Sequence, residues 1–306
     1  MSNSLFLLLT LALGAVLSRV SLCAVAGMQQ LVATRNYSGL ERLLLAASGA
    51  GVLLLVLAGV APGTVLLPGA APFHAGIIAG GALLGVGALL NGGCYLGSVL
   101  YLGSGNLNFL FTLAGIGLGA RGAEILTLRA SGTPSPQLAM GPIWIAGAIG
   151  FALVILLLAR LGGIRGKWLA LLAGVLAGLV YARHPGWSYG TVLETLARGR
   201  LSLMDWGANA SALMLFAGAL AGAWLAGRFH LQRPSFPRAL RCAGGGLVMG
   251  FGAALVPGGN DSLLLWAIPG LSAYGALAYV IMLATIGLGF AVAARRTGGT
   301  PRLPRA

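Results

Sequence analysis

The chain nearly repeats itself. Gly85-Val86-Gly87-Ala88-Leu89 returns 165 positions later as Gly250-Phe251-Gly252-Ala253-Ala254. The same offset sets Asn91-Gly92-Gly93-Cys94 opposite Val256-Pro257-Gly258-Gly259, Cys23 opposite Ser188, and Arg35 opposite Arg200. After a small insertion, Ile116-Gly117-Leu118-Gly119 recurs as Ile286-Gly287-Leu288-Gly289. A chain duplicated in this way must fold as two similar units. Where the copies are apolar and broken by glycine, the working site is expected where they meet.

The copies are built for lipid. Of the 306 residues, 58% are hydrophobic and only 8% charged. A soluble domain carries about 25% charged residues, so this chain cannot cover a water-facing surface. Its apolar runs do not alternate as barrel strands would over ~10 residues. The expected fold class is therefore an all-α polytopic membrane protein, with the 51 glycines serving close helix packing and helix breaks.

Charge and cysteine usage exclude other classes. The net charge is +14, but eighteen of the nineteen cations are Arg, mostly in short loops between apolar runs. They act as topology determinants or lipid-headgroup contacts. Without a basic folded module, a nucleic-acid partner is excluded. Cys23, Cys94 and Cys242 are odd in number and widely spaced, which argues against a disulfide framework. With no CxxC pair or Cys/His cluster, neither metal nor cofactor is expected. No triad, phosphate loop or nucleotide motif is present, so an enzyme is not expected. Any transport is then passive or coupled to an ion gradient, unless a partner subunit supplies the energy.

Nine spans are expected, at about 3–18, 41–60, 73–91, 107–128, 141–161, 167–183, 207–228, 238–256 and 271–294. A crossing needs ~20 apolar residues, or somewhat fewer with a protected end. Four stretches between them, 20–34, 94–103, 188–198 and 259–268, are too short to cross, and each follows a Gly, Pro or polar break. Such backbone is tolerated at membrane depth only inside protein or against a water-filled cavity. The division is a first repeat over 1–130, a linking span over 131–165, a second repeat over 166–296 and a disordered basic tail over 297–306. An odd linking span turns the second copy upside down, giving an inverted internal repeat. The stretch Ser4 to Leu17 has the length of a signal-peptide core, but it lacks a charged leader and cleavage site and is expected to be retained.

Placing the C-terminus in the cytoplasm and the N-terminus outside puts fourteen cations inside and five outside (Arg121, Arg129, Arg183, Arg198, Arg200). That follows the positive-inside rule, and the reverse orientation would violate it. Trp144, Trp168, Trp187, Trp206 and Trp224 fall near span ends, as interfacial anchors do. A multi-pass protein of the cell inner membrane results, with the lipid bilayer as its first partner.

Chemistry concentrates at the breaks. In Asn91-Gly92-Gly93-Cys94 the glycines end one helix before another over Tyr95 to Leu102, leaving backbone amides at a helix N-terminus. Such amides attract anions. Cys94 there is either a polarisable donor or thiolate for a sulfur ligand, or a small hydrophobe packed beside a glycine. The matching break, Pro257-Gly258-Gly259-Asn260-Asp261-Ser262, offers Asn260 and Asp261 as helix cap or ligand group. A charged Asp261 would oppose an anion unless it is protonated or points away. Ser18-Arg19-Val20-Ser21-Leu22-Cys23 opens another short helix, and Arg183-His184-Pro185-Gly186-Trp187-Ser188 holds the matching place. Arg19 is expected as a topology charge, His184 as a solvated side chain and Cys242 as packing.

At these residues the chain resembles the YeeE/YedE family of sulfur-compound membrane transporters. The resemblance rests on Ser18-Arg19 with Cys23, Gly92-Gly93-Cys94-x-x-Gly97, Gly103-Ser104-Gly105-Asn106, and the Gly-rich span ending at Asn260. It implies nine spans, short helices pinching an hourglass-like central path, and a thiosulfate-like substrate. It further implies that Cys94 is the central substrate contact and Cys23 a flanking one. Where the family carries Gly-Cys-Asn, this chain has Gly258-Gly259-Asn260, and Ser188 stands where a thiol could answer Cys23. The expected substrate-binding set is Cys94, Gly92, Gly93, Cys23, Asn91, Gly258, Gly259, Asn260, Asp261 and Ser188. The expected function is uptake of a small sulfur-containing anion. Two alternatives stand beside it: a channel or permease for another small solute, and a membrane relay passing persulfide to a cytoplasmic sulfur carrier.

Overall fold

The computed structural model describes residues 3–61, 63, 65–69, 74–126, 143–162, 166–199, 206–256 and 258–297. The expected tail beyond 297, the joining stretch 127–142, Pro257 and Arg200 lie outside the described residues.

Among the described residues thirteen helices succeed one another: α1 (Asn3–Val20), α2 (Ala24–Thr34), α3 (Ser38–Val60), α4 (Ala75–Asn91), α5 (Tyr95–Gly103), α6 (Phe109–Ile125), α7 (Ile143–Gly162), α8 (Trp168–Arg183), α9 (Tyr189–Ala197), α10 (Trp206–Leu225), α11 (Phe236–Leu255), α12 (Asn260–Ala267) and α13 (Ala273–Thr297). The last short one, α12, begins as an α-turn over Asn260–Ser262 and continues as a π-helical stretch over Leu263–Ala267. An isolated strand-like bridge joins Asn106 to Gln232. The fold is polytopic and all-α, as composition requires.

Helix order is the same on either side of α7: long, short, long, long, short, long. The packing follows the same exchange. α1 lies on α10 as α8 lies on α3; α11 lies on α6 as α4 lies on α13; α9 touches α6 as α2 touches α13. Two self-matching pairs, α1 with α8 and α4 with α11, form the seam between the halves.

Small residues set these distances. A Cβ on Gly14 or Gly218 would strike backbone across the α1–α10 contact, and one on Gly115 or Gly246 would do so across α6–α11. Lipid offers no hydrophobic drive between helices, so close backbone approach and dispersion hold them instead. α7 stands apart. It packs on α3 and turns Ile145, Ile149, Leu153 and Leu156 outward, as a lipid-facing helix must.

Several expectations need correction. α1 runs on to Val20 and α2 starts at Ala24, so Ser18 and Arg19 close the first helix rather than open the second. The backbone turns at Ser21, a non-glycine residue at φ 57°. In the first half the short helices prolong the span before them. Asn3–Thr34 and Ala75–Gly103 each read as one apolar stretch, of 32 and 29 residues, carried through the break. The second-half pair Phe236–Leu255 and Asn260–Ala267 is instead bent by 55°. Five helical stretches among the described residues are long and apolar enough to cross alone, six with the bent pair, where nine spans were expected. α6 and α8, at 17 and 16 residues, fall short of that test. Trp187 is buried against Phe6 and Tyr181 rather than anchored at an interface, and His184 sits 4.4 Å from the Phe6 ring instead of in water. Trp168 and Trp224 are exposed at helix ends.

Charged groups collect at two ends of the bundle. Arg42 and Arg228 cap the last carbonyls of α1, donating to Val20 O at 3.0 Å and Ser18 O at 2.8 Å, and Lys167 pairs with Glu41. Arg198 pairs with Glu194 and Glu124, and Arg121 with Glu124.

Candidate functional site at the meeting of four helix N-termini

Each half contributes two short helices, and the residue at the head of each was already conspicuous in the sequence. Cys23 precedes α2, Cys94 precedes α5, Ser188 precedes α9 and Gly259 precedes α12, all in extended backbone. That conformation frees the first amides of each helix to point outward.

The first-half turn is made by glycine. Gly92 adopts φ 75°, a left-handed conformation that L side chains rarely accept, and its N–H closes the end of α4 on Ala88 O at 2.9 Å. Asn91, 1% exposed, then holds the turn from inside. Its Nδ2 donates to Gly93 O at 2.6 Å and Ser98 Oγ at 3.0 Å, and its Oδ1 accepts from Thr112 Oγ1 at 2.7 Å. Ser98 Oγ in turn donates to Cys94 O at 3.0 Å. Every polar atom of the Asn91 side chain is therefore used, and the chain entering Cys94 is fixed to α5 and α6.

Cys94 is 1% exposed, and its sulfur is the focus of two backbone amides. Gly97 N–H, from its own helix, lies 3.5 Å away, and Ala24 N–H, from the head of α2, 3.4 Å away. Cys23 Sγ lies 3.8 Å from Cys94 Sγ, and both cysteines are free thiols. The approach is close because residue 97 is glycine: a Cβ there would stand 2.6 Å from Cys23 Sγ.

The second half closes on this pair through aromatic rings and polar groups rather than thiols. Tyr95 sits between the heads of α9 and α12, where a Cβ on Gly190 or Gly259 would come within 2.7 and 2.8 Å of its ring. Tyr189 Oη donates to Tyr95 O at 2.9 Å, tying α9 to α5. Ser188 Oγ accepts the Gly190 N–H at 3.1 Å and donates to Asp261 Oδ2 at 2.7 Å. Asp261 thus turns toward Ser188. Asn260 lies beside the Cys94 thiol, and its buried Oδ1 and Nδ2, like Asp261 Oδ1 and Ser262 Oγ, meet no hydrogen-bond criterion within the protein. Buried carboxamides are nearly always satisfied, so an unpaired one beside a thiol marks a place suited to a polar ligand.

The structure thus brings Asn91, Gly93, Cys94 and Cys23 together on one side and Ser188, Gly259, Asn260 and Asp261 on the other. Gly92 and Gly258 (φ 107°) serve the two turns. Cys242 is fully buried on α11, beside Thr112 and Arg238 and away from the Cys23–Cys94 pair. Sequence reasoning missed Thr112, Ser98 and Tyr189, and it marked Tyr95 for its place at the helix N-terminus, not for the ring that seats α9 and α12. Among the described residues no three His, Cys, Asp or Glu side chains are grouped to hold a metal.

The protein family described as sulphur transport matches the chain twice, over the overlapping ranges 19–169 and 135–288. No curated protein matches it.

Proposed function

The chain belongs to the sulphur-transport family of membrane proteins, and we propose that it takes up a small sulfur-containing anion such as thiosulfate with Cys94 as the central contact. The observation that carries this is the Cys94 sulfur itself, buried at the head of α5 with two amides from different helices aimed at it. Helix N-termini stabilise negative charge, more so where water is excluded. The amides that hold the thiol are placed to pass to an incoming anion when the thiol turns to meet it. The thiol pair then supplies a soft, polarisable surface for a sulfur atom, which an anion with oxygen alone would not exploit.

On this proposal the two halves are inverted copies in the inner membrane, with the N-terminus outside and the C-terminus in the cytoplasm. The head groups of α9 and α12 form the opposite wall. Asn260 supplies hydrogen bonds there, while one carboxylate oxygen of Asp261 stays engaged by Ser188.

Uptake of radiolabelled thiosulfate by cells lacking their own importers tests this. Wild-type protein should confer uptake, and Cys94→Ala should abolish it while the variant reaches the membrane in equal amount. Undiminished uptake by Cys94→Ala would reject the thiol's role. Absence of uptake by the wild type would reject thiosulfate. Sulfane sulfur left covalently on Cys94 would favour relay to a cytoplasmic sulfur carrier instead.

A further inference from the structure

A polar cavity lies apart from the thiol pair, and neither cysteine lines it. It occupies about 390 Å³ between the starts of α6 and α11 and the loop that leads into α11. Arg233, Arg238 and Arg241 line it, together with Asn106, Asn108 and Ser235, and among the described residues its lining holds no acidic side chain.

The cavity is preformed. Asn108 Nδ2 donates to Asn106 Oδ1 at 2.9 Å, and Ser235 N–H donates to Asn108 Oδ1 at 3.1 Å. Gln232 is bridged to Asn106, which fixes the loop against the α5–α6 turn. The Arg238 guanidinium lies 5.9 Å over the Phe109 ring centroid. Arg238 is half-buried against that ring while Arg233 and Arg241 stand exposed at the cavity's edge, so three positive charges border one space.

Three guanidiniums gathered around one space repel one another, and an anion between them relieves the arrangement. Guanidinium presents paired N–H donors that match the oxygens of a phosphate-type group. α6 and α11, of 17 and 20 residues, both begin at the cavity, so their dipoles add to the same field. At ~30 Å³ per water the space holds roughly a dozen water volumes, enough for a tetrahedral oxyanion with part of its hydration. Beside it Phe236 and Leu240 on α11 are 81% and 63% exposed, and in a membrane protein such side chains meet lipid. The cavity therefore opens at the depth where headgroup phosphates lie.

We infer that this cavity binds a phosphate-type tetrahedral oxyanion, carried by an anionic lipid headgroup or free in water. Phe109 separates it from the thiol site, its ring reaching 3.3 Å from the Cβ position of Gly93, so the two sites are tested independently. The full chain in neutral detergent is given phosphatidylglycerol or phosphatidylcholine and examined by native mass spectrometry. A second sample is titrated with inorganic phosphate and followed by thermal unfolding. Both are compared with Arg233→Gln/Arg241→Gln, leaving Arg238 in place because it packs on Phe109, and with Arg241→Gln alone should the double variant not fold. Wild type should retain phosphatidylglycerol over phosphatidylcholine or be stabilised by phosphate, and the variant should lose at least about tenfold in apparent affinity. Selective retention of phosphatidylglycerol without a phosphate response identifies the lipid, and the reverse identifies a free ion. Equal retention of both lipids with a flat phosphate titration, or unchanged affinity in the variants, overturns the inference.

Discussion

Replacing Asn91 by Ala tests whether the turn before Cys94 is held from within by a satisfied polar network. The substitution removes three hydrogen bonds, to Gly93 O, Ser98 Oγ and from Thr112 Oγ1. Their losses are unequal. Ser98 keeps its bond to Cys94 O, and Thr112 can turn back to a carbonyl of its own helix. Gly93 O keeps no such alternative inside the bundle, and a buried acceptor left unmade costs about 1–3 kcal/mol. With a small cavity term added, the total is about 2–4 kcal/mol. For a chain of this length that corresponds to a fall of roughly 4–8 °C in unfolding temperature. The assay is thermal unfolding of purified protein in one detergent, with Thr112→Val and the double variant completing a cycle. The two effects should be less than additive, because Thr112→Val already removes one of the bonds that Asn91→Ala removes. A fall of less than about 1 °C for Asn91→Ala, or strict additivity, would refute the claim that Asn91 holds the turn.

Two further contacts at the helix heads can be tested by the same unfolding measurement. Gly97→Ala places a Cβ 2.6 Å from Cys23 Sγ, and overpacking of this kind costs about 1–3 kcal/mol. Adding Cys23→Ala should restore the unfolding temperature, and failure to do so would show that the strain lies elsewhere. Ser188→Ala deprives Asp261 Oδ2 of its donor and should lower stability by about 1–3 kcal/mol, whereas Ser188→Thr should retain most of it. Equal stability of all three proteins would show that the Ser188–Asp261 bond does not matter.

How much of this was legible in the sequence depends on the kind of signal. The four helix heads were legible because each stands at a break, and a break is local: Gly92-Gly93 before Cys94, Pro257-Gly258 before Gly259, and polar turns before Cys23 and Ser188. The internal offset then paired them without any structure. The course of the chain beyond a break is set from farther away. Nothing in Gly92-Gly93 or Ser21-Leu22 states that the chain will continue along its old direction, as Ala75–Gly103 and Asn3–Thr34 do, while Phe236–Leu255 bends by 55° into α12. That outcome depends on what the emerging helix packs against, and the partner of Asn91, Thr112, lies 21 residues away in an apolar helix that gives it no periodic signal. Trp187 failed as an interfacial anchor for the same reason, since burial against Phe6 joins residues 181 positions apart.

The difference between the halves has a physical sense that the repeat alone conceals. In the first half the two helix heads face each other through sulfur, Cys23 to Cys94 at 3.8 Å. In the second the corresponding place is taken by a hydroxyl donating to a carboxylate, Ser188 to Asp261 at 2.7 Å. Both contacts join a short helix to its neighbour, so either would serve the fold. They differ in what they leave for a ligand. A thiol pair makes weak hydrogen bonds and is readily displaced, whereas the serine–carboxylate bond is strong and short and stays made. The first half is thereby left more adaptable than the second, where Asn260, Asp261 Oδ1 and Ser262 Oγ are buried polar groups without a hydrogen bond. On the proposed function, an anion whose two ends differ in chemistry is gripped between one soft wall and one fixed wall, and the duplicated scaffold makes them by losing its symmetry at these two contacts.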